Sequence, residues 1–139
     1  MEVLTQERVL TKLDHARLTS LLARSRAGLP PKLAALAEEI LDFADVVEAT
    51  EIAADVVTMR SRVRVARTGE APVEFTLSYP VEGSPPPEGT VSVLTPMGLS
   101  LLGARTGQTV SWTGPTGEPH TAQVLEVVYQ PEAAGDYGA

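Results

Sequence analysis

Few residue types in this chain could carry out chemistry. There are two histidines, His15 and His120, and no cysteine. Disulfides, thiolate zinc sites and cysteine nucleophiles are therefore excluded, and two histidines are too few for a histidine-rich metal site. Ser61 and Ser111 sit in no nucleophile motif. The glycines form neither G-x-G-x-x-G nor G-K-[ST], so no phosphate-cradling loop is written here. No catalytic residue, cofactor or metal is expected. What the chain does concentrate is cations. Arg24, Arg26 and Lys32 surround Ser25-Arg26-Ala27-Gly28-Leu29-Pro30-Pro31, a stretch without a carboxylate. Arg60, Arg62 and Arg64 recur at every second position. Guanidinium groups suit phosphate or carboxylate partners. Arg24 and Arg26 can thus meet RNA or an acidic wall, or they can simply face water at a helix end. The Arg60 row reads more readily as a solvated strand face than as a docking surface.

These cations need elements to hold them. Leu10, Leu13, Leu18, Leu21 and Leu22 recur at helical spacing, with Thr11 and Asp14 placed to favour a first turn. Gly28-Leu29-Pro30-Pro31 stops that helix. A second helix is predicted from Lys32 to Val47, with Leu33, Leu36, Ile40, Phe43 and Val47 spaced 3, 4, 3, 4 as a packing seam. The two helices form an antiparallel hairpin, a short coiled coil over residues 1–50. Such a pair buries little area, so it must lean on the following domain or on a second copy of itself, a weak homodimer through the hairpin.

Residues 48–55 read as a connector to a second domain, 51–139. There the period changes to two. Val57, Met59, Ser61, Val63 and Val65 face inward in a first strand, and Phe75, Leu77 and Tyr79 in a second. Val81 to Gly89 is an exposed loop, and Val91 and Val93 mark a third strand. Thr95 caps a short helix that has Pro96 at its first position and ends at Gly103. A strand carrying Val110 and Trp112, a turn at Gly114-Pro115-Thr116-Gly117 and a central last strand through Leu125, Val127 and Tyr129 follow. Phe75, Tyr79, Trp112 and Tyr129 are expected in the core. The tail from Gln130 is small and polar, an extended cover or a mobile end. The fold class is α+β, a helical hairpin followed by an antiparallel sheet with one short covering helix.

The formal charge is −7. Arg8, Lys12, Arg17, Arg24 and Arg26 against Glu2, Glu7 and Asp14 put +2 on residues 1–31, so the remainder carries −9. That balance argues against independent, sequence-specific DNA binding. No apolar run approaches the roughly 18–20 residues that span a bilayer. The start of the chain lacks a basic, apolar signal pattern. A cytoplasmic protein with no membrane partner is expected.

Val91-Ser92-Val93 before Thr95-Pro96-Met97, the Leu101-Leu102-Gly103 helix end, the Gly107 turn and Gly114-Pro115-Thr116-Gly117 resemble the C-terminal domain of Gre-type transcript cleavage factors, an FKBP-like fold. Val56-Val57-Thr58-Met59-Arg60-Ser61-Arg62-Val63 and the tail Tyr129 to Tyr137 resemble the subfamily of regulators of nucleoside diphosphate kinase. The resemblance implies RNA polymerase as partner, with the C-terminal domain docked at the rim of the secondary channel and the hairpin entering it. It places docking at Leu94, Thr95, Pro96 and Met97, where Leu94 stands in place of a Gre-type acid, and the hairpin tip at Arg24, Arg26 and Leu29. Gre factors stimulate cleavage through acids at that tip. None is present here, so competition without cleavage is the expected activity. The alternative is an adaptor that acts on nucleoside diphosphate kinase and nucleotide metabolism without entering polymerase. An FKBP-like fold also suggests prolyl isomerase activity, for which this domain has too few aromatic residues to line a pocket.

Overall fold

The computed structural model describes residues 8–67, 69–80, 88–113 and 117–137. The expected loop at Val81 to Gly89 and the turn at Gly114 to Gly117 lie mostly outside these residues. The first element among the described residues is a three-residue strand, β1 (Val9–Thr11), that runs directly into helix α1 (Lys12–Ser25). Thr11 caps α1, its Oγ1 accepting from the Asp14 N–H at 3.0 Å. A 3₁₀ turn, Arg26–Gly28, reverses the chain, and α2 (Pro31–Phe43) starts with proline at its first position. Leu10 belongs to β1 rather than to the helix, and it is fully buried.

The second helix ends four residues before the expected Val47. Ala44 closes the last turn through its N–H to the Ile40 carbonyl at 3.0 Å, then turns extended. Asp45–Val47 form β2 and pair in parallel with β1. Asp and Val are weak helix formers, and an available strand partner outweighs the local pattern. The 3, 4, 3, 4 seam fails at the same place. Phe43 is 74% exposed, and the buried face of α2 is Ala34, Ala37 and Ile40. Small residues there let α2 approach closely what it covers.

The body is a five-stranded sheet in the order β5-β4-β3-β7-β6, made of β3 (Arg62–Ala66), β4 (Val73–Ser78), β5 (Thr90–Ser92), β6 (Thr109–Thr113) and β7 (Pro119–Tyr129). All pairs are antiparallel except β4–β5. The first strand of the body begins at Arg62, six residues later than Val56. Val56, Val57, Thr58 and Met59 are all fully buried, so no alternation holds there. This segment is held by Val57 and Gly103, with Val57 N–H to Ala104 O and Gly103 N–H to Val57 O, both 2.8 Å. Arg60 then reverses the chain with φ +69°, rare for a residue with a side chain. The last strand lies between β3 and β6 but has one solvated face, and Tyr129 is 47% exposed rather than in the core. The tail is less polar in its role than in its composition. Gln130 and Glu132 are buried, and Gln130 Nε2 donates to the carbonyls of Ala53 and Val56, each at 2.8 Å.

Helix α3 (Pro96–Leu101) lies between the two parts of the molecule. It contacts β5 and β6 on one side and α2 on the other. Leu18 and Leu22 of α1, Ala37 and Ile40 of α2, and Leu99 and Leu102 surround a residual gap of only about 10 Å³, less than a water needs comfortably. The hairpin is thus seated on α3.

Candidate functional site

The entrance to α3 is held by short-range bonds that follow from its sequence. Thr95 Oγ1 accepts from Gly98 N–H at 3.0 Å and donates to the Ser92 carbonyl at 2.7 Å. Ser92 Oγ in turn accepts from Leu94 N–H at 3.2 Å. Pro96 occupies the first helical position. Gly98 is required by proximity: a Cβ there would lie 2.0 Å from the Ser92 carbonyl oxygen. Thr95, Pro96 and Met97 are half-buried and keep part of their surface in solvent. Leu94 differs, because its side chain helps to line the gap against Leu18, Leu22 and Ile40. At this position the chain packs an aliphatic group towards its own hairpin.

The other end of α3 is capped from far away in sequence. Arg8 Nη1 donates to the carbonyls of Leu99 (2.8 Å), Ser100 (3.3 Å) and Leu102 (2.7 Å). A cation on the free carbonyls of a helix end is favourable. Burial lowers the Arg8 pKa to about 10, opposed by Glu39, so it stays charged at neutral pH.

At the hairpin tip Arg24 is exposed, Leu29 is packed against the core, and Arg26 is ion-paired with Glu38. Glu38 comes from the second turn of α2, so the tip carries less net charge than its own residues suggest. The Arg60 row also divides. Arg62 pairs with Glu74 at 2.7 Å, and Arg64 bridges Glu74 at 2.8 Å and Glu126 at 3.2 Å. Those pairs lower the Glu74 pKa and mark an outer face of cross-strand ion pairs. Arg60 is not part of it. The histidines are apart: His15 Nε2 meets the Leu41 carbonyl, while His120 stacks on Trp112 and receives Arg67 at Nδ1. Among the described residues, no group of three or more His, Asp or Glu is gathered to hold a metal ion. None of the described helices is long and apolar enough to cross a membrane.

A buried polar cluster under the hairpin escaped the sequence reading. Asp14, 2% exposed, accepts from Met59 N–H at 3.1 Å and from the Tyr79 hydroxyl at 3.3 Å. Nearby, Thr58 Oγ1 donates to Glu132 at 2.7 Å and meets Ser61 Oγ at 2.8 Å. Burial, with the Glu132 charge, raises the Asp14 pKa to about 6, although the bonds from Met59 and Tyr79 and the charge of Arg17 act the other way. Burial and the Asp14 charge push the Tyr79 hydroxyl up. The available signal was Thr11-x-x-Asp14, which has the form of a capping box. The acid that would close the box reaches instead to the body.

Comparison with known proteins agrees with this architecture. The family described as transcription elongation factor, GreA/GreB, C-terminal, matches residues 52–129. Regulator of nucleoside diphosphate kinase from Escherichia coli (strain K12) is 40% identical over 131 residues, covering 93% of this chain and 94% of that protein. The protein of the same name from Shigella flexneri matches equally. Among solved structures, the prokaryotic transcription elongation factor GreA/GreB from Nitrosomonas europaea superposes with a TM-score of 0.69 and 31% identity, over 90% of this chain and all of that one.

Proposed function

The chain belongs to the GreA/GreB transcription elongation factor family, with regulators of nucleoside diphosphate kinase as relatives, and we propose that it binds RNA polymerase at the secondary channel and competes there with Gre factors without stimulating transcript cleavage. The observation that carries this reading is the hairpin tip. Two helices are built and seated, yet residues 25–31 between them hold no carboxylate. Two-metal cleavage of a phosphodiester needs carboxylate oxygens beside a hard cation. Arg24 at this tip would oppose recruitment of that cation. Docking is assigned to Thr95, Pro96 and Met97, whose loop is ordered by its own cap before any partner arrives, which lowers the ordering cost of binding. Leu94, turned towards the hairpin, supports the helix entrance from behind.

The body reads as FKBP-like in arrangement, serving as a binding module and not as an isomerase. Residence in the cytoplasm accompanies a polymerase partner. The test is competition: labelled Gre factor bound to core polymerase is titrated with this protein, and cleavage of a backtracked transcript is followed in parallel. Displacement with loss of cleavage is expected. Failure to displace would refute channel occupancy, and cleavage at Gre-like levels by this protein alone would refute the non-cleaving role. Pro96→Ala is the variant that probes the docking site, because Leu94→Asp would put a carboxylate into the apolar contact beneath the hairpin.

A further inference from the structure

After β7 the chain folds back on the link between the two-helix arm and the body. Pro131 is buried with Gln130 and Glu132. The tail closes on itself through Ala134 N–H to Gln130 O at 3.1 Å and Asp136 N–H to Pro131 O at 2.8 Å. Its buried polar side chains go to one stretch, residues 53–58, which runs from the connector into the body. Gln130 Nε2 holds the carbonyls of Ala53 and Val56, and Glu132 Oε1 accepts from Thr58 Oγ1. The next residue, Met59, gives its N–H to Asp14 in the first turn of α1 at 3.1 Å. The tail and the arm thus hold adjacent residues of one turn. That turn is tight enough to pass a constraint on, with Thr58 N–H donating to Ser61 Oγ at 2.9 Å and Ser61 N–H to Thr58 O at 3.0 Å.

Elsewhere the arm rests on α3 through apolar side chains. Contact of that kind is non-directional and leaves an arm free to tilt. A hydrogen bond prefers one angle, and a satisfied buried polar network selects one arrangement. A carboxyl group at 7% exposure is unfavourable to bury for packing alone. We propose that the tail is a strap that fixes the direction of the two-helix arm, with Glu132 as the positioning residue that acts through Thr58 and Met59 on Asp14. The strap works in the free chain, so this inference does not rest on the polymerase reading.

The test is a distance measurement on the full chain. There is no native cysteine, so Ala23→Cys on α1 and Gln123→Cys on β7, both at exposed positions, carry two spin labels. Pulsed dipolar spectroscopy then reads the distance from arm to body, and a narrow distribution is expected. From residue 12 to residue 23 the helix rises about 17 Å, so a tilt of about 15° displaces the label by about 4 Å. Glu132→Ala and Thr58→Val break the same bond from its two ends. Each is expected to shift the mean or widen the spread by about 4 Å, and the two together add nothing further. Glu132→Ala still leaves Ser61 Oγ as partner to Thr58 Oγ1, so no buried hydroxyl is stranded and the fold is kept. Glu132→Gln retains an acceptor oxygen and should give the native distribution. Arg62→Ala, on the ion-paired sheet face, should leave it unchanged. Native distances in both Glu132→Ala and Thr58→Val, even with stability lowered, would overturn the strap. An equal change in Arg62→Ala, or in Glu132→Gln, would do the same.

Discussion

Replacing Gly98 by alanine should unseat the helix on which both halves of the molecule rest. The new Cβ would lie 2.0 Å from the Ser92 carbonyl oxygen and 2.9 Å from both Ser92 C and Val93 Cα. All three are backbone atoms, so no side chain can swing away to relieve the contact. The first turn of α3 must move off the end of β5, which strains the Thr95 bonds to Ser92 O and Gly98 N–H. Overpacking costs about 1–3 kcal/mol and a weakened cap about 1 kcal/mol. The better helix propensity of alanine returns about 1 kcal/mol. A net loss of about 1–3 kcal/mol follows, or roughly 3–10 °C in Tm for a chain of this length. Urea unfolding monitored by circular dichroism measures it. Gly28→Ala is the control, because nothing lies within 4 Å of a Cβ there. A Gly98→Ala protein as stable as the native chain, or one no worse than the control, would refute the close approach.

Two further outcomes follow from buried charge. Arg8→Met keeps the apolar stem but leaves the carbonyls of Leu99, Ser100 and Leu102 without their donor; urea unfolding should show a loss of about 2–3 kcal/mol, and a loss below about 0.5 kcal/mol would count against the cap. Asp14 is the pH-dependent group. Folding raises its pKa from 3.8 to about 6, so between those values the folded state holds a proton that the unfolded state releases. This contribution is fully present below about pH 4 and is lost as pH rises through about 6, with a size of up to about 3 kcal/mol. Asp14→Asn removes it while keeping an oxygen for the Met59 N–H. Stability measured from about pH 4 to pH 7.5 should therefore fall less steeply with rising pH in the variant, and parallel curves for the two proteins would contradict the assignment. The acids and cations facing Asp14 are Glu132 and Arg17, with the Tyr79 hydroxyl, so the same titration in Glu132→Gln separates their shares.

The features legible in the sequence are local. Thr95, Pro96 and Gly103 define α3 within nine residues, and each acts on its neighbours. The alternation in Val63, Arg64 and Val65 marks β3 because one face of the sheet is solvated. What was not legible depends on partners distant in the chain. β1 and β2 have three residues each, too few to display a period, and they exist because they find one another. Arg8 reads as one more surface cation until it meets carbonyls more than 90 residues away. Val46 and Val47 extend a helical pattern that a strand partner overrides. In the candidate site the Thr95 cap was readable, but the direction of Leu94 was not, since it is set by leucines of the hairpin. The same holds for Glu132, a polar tail residue whose burial rests on Thr58.

The parallel pairing of β1 with β2 has a consequence for reach. Parallel strands need a crossover, and here the whole hairpin serves as that crossover. Both ends of the two-helix arm are fastened at one place, with Asp45 N–H on the Arg8 carbonyl at 2.9 Å and Val9 N–H on the Gly103 carbonyl at 3.3 Å. How far the tip extends from the body is then governed by the helix lengths alone. Seven residues added to each arm beyond Leu22 and before Leu33 would carry the tip about 10 Å further with the same faces turned inward. Depth of entry into a partner is in this way an adjustable dimension, separable from the joint that holds the arm.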